Sequence, residues 1–454
     1  MSSEPAAARR IVVTGMGVVS PLGLTLDEFW KAVISRKSAV RPYTVEGSES
    51  IPITCAAPVD LFTGDIADFG ELEGTLKKDI RKSLKLMSRE IQMGVASAQR
   101  AIFDARIRPG DLEPLRVGVS YASDYIITTI AEISEGVQSC RGENGFDASL
   151  WPSRGMTKMT PLWQLKFLTN MITSHLSILN QFRGVGCNVT NREASIGALV
   201  GEAVEILRRG HLDVMVVGAT GSRLHPLRII SALKNESVAT DPSLPPQELS
   251  RPYDPRRNGS VLGEGAGALI LETAEHAQNR GAHIYAEILG GVNSAVITPA
   301  PDPVSGRYFE FESFDNLKES MTLSLRRLQE KVNRPFDSVG HINGQGASTR
   351  ISDAAEAEAL HTVFGKATET TPITTIKGHT GNSGAGGDTA DLIASIMALE
   401  SGNLFPILNN TEDDPACPVF PVRTDGIPAG DSFIKTGSHP FGQTSALWVS
   451  KWES

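Results

Sequence analysis

Residues 193–209 read EASIGALVGEAVEILRR, and residues 213–218 read DVMVVG. The first stretch predicts a helix and the second a fully buried strand. On the helix Glu202, Glu205, Arg208 and Arg209 gather on one face. The remainder is Ala, Ile, Gly, Leu and Val, so most of the circumference is buried. At about 100° per residue, Glu193 lies about half a turn from Glu202. A carboxylate at the buried start of a nearly all-apolar helix is an anomaly that asks for a chemical reason.

Residues 388–399 (DTADLIASIMAL) form a second apolar helix pattern, preceded by the glycine-rich residues 381–387 (GNSGAGG). Apolar strand patterns recur at residues 267–272 (GALILE) and 446–450 (ALWVS). Buried strands alternating with helices predict a layered α/β protein of two similar halves. The halves are expected over residues 11–275 and 276–454, joined near 273–283, behind a disordered lead over residues 1–10. Residues 11–14 predict a strand followed by a glycine-broken turn at Gly15 and Gly17, with the backbone packed closely in a bend. An insertion spans about residues 123–182. Its first part, residues 123–165, reads as irregular and functional or interfacial. Its second, residues 165–181 (LKFLTNMITSHLSILNQ), is apolar on several sides, as in a segment buried between subunits.

Composition narrows the function. Among 454 residues, 43 Lys+Arg stand against 52 Asp+Glu, a formal net charge of -9, which disfavours nucleic acid as a partner. Apolar residues make up 40%, too many for a disordered chain. The four cysteines, Cys55, Cys140, Cys187 and Cys417, are too scattered for a disulfide framework or a cysteine zinc site. No histidine pair has metal-binding spacing, so no metal and no cofactor is expected. No run is long enough for a membrane span. With no export-signal pattern before the first strand, the expected location is the cytoplasm.

Several motifs together resemble the β-ketoacyl-ACP synthases. They are residues 13–23 (VTGMGVVSPLG), 251–267 (RPYDPRRNGSVLGEGAG), 343–349 (NGQGAST), 377–381 (KGHTG) and 440–444 (PFGQT). The resemblance implies the thiolase fold, a dimeric α/β protein of two pseudo-duplicated halves in five layers, α-β-α-β-α, acting on acyl chains held by acyl carrier protein. It also assigns positions. The family's nucleophilic Cys falls nine residues after the Gly of Arg183-Gly184, where this chain has Glu193. The family's first His falls at Gln345. Its second falls at Asn382, after the retained Lys377, because register favours Asn382 over His379. Asp391 matches a helix carboxylate near that Lys. The C-terminal Phe-Gly-Phe-Gly-Gly pattern becomes His439-Pro440-Phe441-Gly442-Gln443, so Phe441, His439 and Gly442 are the expected substrate-binding positions.

These substitutions remove the condensing chemistry. A carboxylate cannot hold an acyl chain as a stable thioester does. The amides of Gln345 and Asn382 donate hydrogen bonds but cannot shuttle protons. Glu193 is then either a polar plug fixed by Lys377, Gln345 and Asn382, or a base for a different acyl-thioester reaction. The resemblance to chain-length factors implies a non-condensing subunit paired with a catalytic ketosynthase paralogue. A homodimeric acyl or carrier-protein binding module is the further alternative. Acyl carrier protein is the expected partner in each, and because it is acidic its docking site must be a local basic patch.

Overall fold

Strand β1 (Ile11–Val19) is buried along its whole length, and the sheet grows outward from it on both sides. The computed structural model describes residues 9–45, 50–108, 110–298 and 311–453. Most of the expected disordered lead therefore lies outside the described residues. The other strands of this sheet are β2 (Val117–Ser123), β3 (Gly186–Val189), β4 (Val214–Ser222), β5 (Glu264–Thr273), β6 (Ala286–Ala295), β7 (His341–Asn343), β8 (Pro372–Thr374), β9 (Phe420–Pro421), β10 (Ser432–His439) and β11 (Gln443–Ser450). Their order across the sheet is β9-β8-β7-β10-β11-β6-β1-β5-β4-β2-β3.

That order contains one pattern twice. The run β3-β2-β4-β5-β1 has β2 parallel to β3 and β4, then two antiparallel steps. The run β8-β7-β10-β11-β6 repeats it step for step. The two runs meet where β1 pairs antiparallel with β6, Val12 facing Glu287. The short β9 is an addition at the edge.

Alternation along the strands sorts side chains into separate layers. On β5, Ala266, Ala268 and Ile270 face the core under helix α1 (Arg89–Asp104) and helix α2 (Met171–Asn180). Leu269 and Leu271 face the central core with helices α3 (Ser195–Arg208) and α6 (Ala385–Ser401). On β11, Leu447 and Val449 reach that central core from the other side. Ala446 and Trp448 face outward under α4 (Phe314–Val332) and α5 (Arg350–Phe364). The five layers are α1/α2, sheet, α3/α6, sheet, α4/α5.

Glycines set how close these layers come. The expected turn after Thr14 is instead continuous strand, with a bulge between Val13 and Gly15. A Cβ on Gly17 would lie 2.1 Å from the Ser97 carbonyl of α1, so the residue buys approach rather than a bend. On α6, a Cβ on Gly386 would lie 2.0 Å from the Gly265 carbonyl of β5. That helix begins at Ala385, three residues before the apolar periodicity indicates, because residues 385–387 already lie against the strand.

The insertion is more regular than expected. It holds a ten-residue helix, Ile130–Ser139, where Ile130, Ile133 and Val137 share one face. It also holds the small hairpin Arg141–Gly142 with Gly145–Phe146. The later apolar segment is only partly explained by contacts in its own chain. Ile172 and Leu176 of α2 pack under α1, while Leu168 and Ile178 are 46% and 73% exposed. Among the described residues no helix is long and apolar enough to cross a membrane. Gly386→Val should destabilise the protein by about 3 kcal/mol or more, since backbone atoms of both Gly265 and Gly221 lie within 2.9 Å of the added Cβ. Urea unfolding checks this.

Candidate functional site

Strands running parallel deliver their carboxyl ends to one region, the usual place for a site in an open α/β sheet. Past β3 comes Glu193, past β4 Arg223, past β7 Gln345 and past β8 Lys377, while β10 ends on His439. The N-termini of α3 and α6 point to the same place. Asn191 N–H donates to Ser195 Oγ at 2.9 Å, which fixes where α3 starts and leaves Glu193 in the single 3-10 turn Arg192–Ala194 before it.

Glu193 is 1% exposed. Its Oε1 accepts from Asn382 Nδ2 at 2.9 Å and from Arg192 Nη2 at 2.9 Å. Asn382 Oδ1 accepts from Gly384 N–H at 2.9 Å, so its amide can present only NH₂ to the carboxylate. Arg192 spans further, with Nη1 and Nη2 on Glu236 at 2.8 and 3.0 Å, and Arg223 Nη2 joins Glu236 at 2.5 Å. Burial pushes the Glu193 carboxyl up, but the Arg192 and Arg223 guanidiniums outweigh it and hold it down at about 2.

A second buried cluster lies beside the first. Lys377 Nζ donates to Asp388 Oδ1 at 2.5 Å and to the Gln345 carbonyl at 3.1 Å, with Asp391 3.7 Å away. Burial draws the Lys377 ammonium down, and Asp388 and Asp391 more than offset that, leaving it above the ordinary lysine value. Asp391 accepts from Asn343 Nδ2, Thr375 Oγ1 and Ile376 N–H, which ties the ends of β7 and β8 to α6. Burial raises the Asp388 carboxyl to about 6 against the pull of Lys377. With its amide oriented to satisfy both ends, Gln345 donates to Asp388 Oδ2 at 2.8 Å.

The structure thus brings Glu193, Gln345 and Asn382 around one cavity but corrects what holds the carboxylate. Neither Lys377 nor the Gln345 side chain hydrogen-bonds to Glu193: both are engaged by Asp388. Arg192 takes their place. The sequence does show Arg192 beside Glu193, and a charge next to a buried carboxylate was the available signal. Asp388 stood in the sequence as Glu193 did, a carboxylate at the start of an apolar helix, whereas Glu236 and Arg223 gave no signal, being brought in by chain folding.

His439 is the last residue of β10, not part of an open loop. It pairs with Gln443 across a tight turn closed by Gly442 N–H on the His439 carbonyl, 2.9 Å. Its Nδ1 accepts from Phe441 N–H at 3.0 Å and its ring stacks on Phe441, centroids 5.3 Å apart. Phe441 also packs on Phe311, and Gly442 takes φ +87° in the turn. Pro440 lines the cavity, whereas Phe441 and Gly442 do not. The cavity at Glu193, walled also by Arg192, Glu236, Gln345 and Asn382, has a volume of about 10 Å³, room for about one water. His379 is fully buried elsewhere against Phe405. No group of acids, histidines or cysteines among the described residues is arranged to hold a metal ion.

Residues 8–277 match the family model of the β-ketoacyl synthase N-terminal domain, and residues 312–411 that of its C-terminal domain. The chain belongs to the β-ketoacyl synthase family. It is 30% identical to the mitochondrial 3-oxoacyl-[acyl-carrier-protein] synthase of Arabidopsis thaliana over 91% of this chain and 87% of that protein. It is 27% identical to 3-oxoacyl-[acyl-carrier-protein] synthase 2 of Coxiella burnetii over 97% and 98%. Among solved structures, the ishigamide ketosynthase/chain length factor superposes with a TM-score of 0.80 at 22% identity, covering 98% of this chain and all of that one. A β-ketoacyl synthase from Burkholderia phymatum superposes at 0.79 with 24% identity, covering 98% of this chain and 100% of that one. The five-layered arrangement is the thiolase fold.

In this member of the β-ketoacyl synthase family, burial pushes the His439 imidazole down to about 4, with Arg192 adding to the effect. The folded state therefore favours neutral His439. Its contribution to stability is present above the unfolded value near 6.5 and is lost as pH falls from about 6.5 to about 4. An NMR titration of the imidazole should place its midpoint near 4; a midpoint above 6 would contradict the burial argument.

Proposed function

We propose that this chain is a non-condensing ketosynthase-like subunit that pairs with a catalytic paralogue in bacterial fatty-acid or polyketide synthesis. The observation that carries the reading is the chemistry around the cavity of about 10 Å³. Glu193 is no thiolate, Gln345 and Asn382 are no imidazoles, and the space leaves no room for an acyl thioester. The one imidazole nearby, His439, has its Nδ1 occupied by a backbone N–H.

A role for Glu193 as a general base is disfavoured by its ion pair. A carboxylate held at about 2 is a weak base at neutral pH. What supports a partner subunit is the far edge of the sheet. Among the described residues, strand β3 has a neighbour only on the β2 side. At its Val189 end opens a groove of about 700 Å³, lined also by Ala198 and Glu202 of α3, residues 293–295 of β6, Arg327 of α4 and Gln443 of β11. Exposed Leu168, Ile178 and Val185 come from the segments leading to that edge. The occupant we assign to it is the condensing paralogue, because this chain's own site lacks the groups the reaction requires.

Co-expression with a paralogue from the same gene neighbourhood that carries Cys, His and His at the three positions should yield a mixed dimer by native mass spectrometry. A stable homodimer with no mixed species would sink the partner-subunit reading and favour a homodimeric binding module.

Carrier protein is assigned to the helix Gly74–Ser83 and the turn after it. Lys77, Lys78, Arg81, Lys82 and Lys85 are exposed there in a chain of net charge -9. Of these, Lys82 pairs with Asp79 at 3.3 Å. Reversing Lys78 and Arg81 to Glu should weaken acyl carrier protein binding by about tenfold at low salt and flatten its salt dependence. Unchanged affinity in a calorimetric titration would place docking elsewhere.

A further inference from the structure

Arg192 has features that its pairing with Glu193 does not explain. It is a non-glycine residue at φ +45°, a left-handed conformation that costs on the order of 1 kcal/mol or more. That conformation belongs to the residue immediately before Glu193, at the end of the loop leading into α3. Its guanidinium is bound from two sides, by Glu193 and bidentately by Glu236. Glu236 follows the helix Pro226–Asn235 and is itself fixed by Arg223. The Arg192 side chain is 16% exposed while that of Glu193 is 2% exposed, and both line the same small cavity. The arginine is thus the more exposed of the two.

We propose that Arg192 is a latch that shuts the pocket over position 193, and that its guanidinium, rather than the carboxylate beneath, sets access to that position. Glu236 holds the latch from the outer side and Glu193 from the inner. The latch concerns access alone, so a failed mixed dimer would leave it standing.

The test uses a thiol introduced by Glu193→Cys as a reporter, alkylated with iodoacetamide and followed by peptide mass spectrometry. Buried Cys55, Cys140 and Cys417 serve as internal references for folding. In Glu193→Cys, the bidentate grip of Glu236 keeps Arg192 in place. Arg192→Gly then removes the side chain at a position whose positive φ glycine accepts. Removing Arg192 together with the carboxylate also leaves the Arg223–Glu236 pair balanced.

Occlusion and electrostatics make opposite predictions here. A neighbouring guanidinium lowers a thiol pKa and speeds alkylation, so charge alone makes the double variant slower. The latch makes it faster: about tenfold or more over Glu193→Cys, with the reference cysteines unchanged. An equal or slower rate in the folded double variant overturns the proposal. If the reference cysteines label rapidly, the double variant has unfolded, and Glu193→Cys with Glu236→Gln decides instead. That pair keeps Arg192 but weakens its outer hold, so faster labelling of the new thiol upholds the latch and an unchanged rate refutes it.

Discussion

The Gly386 backbone of α6 lies so close to the Gly265 carbonyl of β5 that no side chain fits between them. This contact seats one of the two central helices in the interior, and the rest of the site depends on it. Once α3 and α6 are buried between the two runs of the sheet, their first turns must sit among the carboxyl ends of the parallel strands. Polar groups at those ends are then removed from water and must find partners among themselves. The repeated strand order brings this about from both halves at once, because β1 and β6 pair back to back and point their neighbours' ends to a common region.

The polar groups solve the problem in two adjoining clusters. Lys377 satisfies Asp388 and lies near Asp391, and Asp391 in turn ties β7 and β8 to α6. Arg192 bridges Glu193 and Glu236, with Arg223 balancing the extra charge. Buried pairs of this kind contribute little net stability, but removing one partner strands the other and costs several kcal/mol. Their effect is on conformation: they hold the strand ends and helix starts in one arrangement and fill the space a ligand would need.

Much of the fold was legible because its signals are local. The largely apolar circumference of residues 193–209 marks a mostly buried helix whatever packs on it, and the same holds for residues 388–399. Glu193 was visible as an anomaly for the same reason. The helix Ile130–Ser139 carried a legible period, Ile130, Ile133 and Val137, overshadowed by the aromatic and proline-rich residues after it. The glycines at 15 and 17 were legible as close contacts but not as strand, because the neighbours that demand them, Ala101 of α1 for Gly15 and Ser97 of α1 for Gly17, lie far along the chain.

Sequence alone determined the layered α/β class, the family motifs, and the absence of a thiol or imidazole at positions 193, 345 and 382. These follow from residue type and spacing, which need no knowledge of distant neighbours. Only the tertiary structure decided what those residues do to one another. Lys377 and Glu193 both sit in the site, yet the lysine is claimed by Asp388 on its own side, while Arg192 reaches Glu193. Asn382 meets Glu193 across 189 residues, and Arg192 meets Glu236 across 44. Electrostatic pairing falls off over a few ångströms, so which charge satisfies which is set by folded distance, and sequence separation carries no information about it.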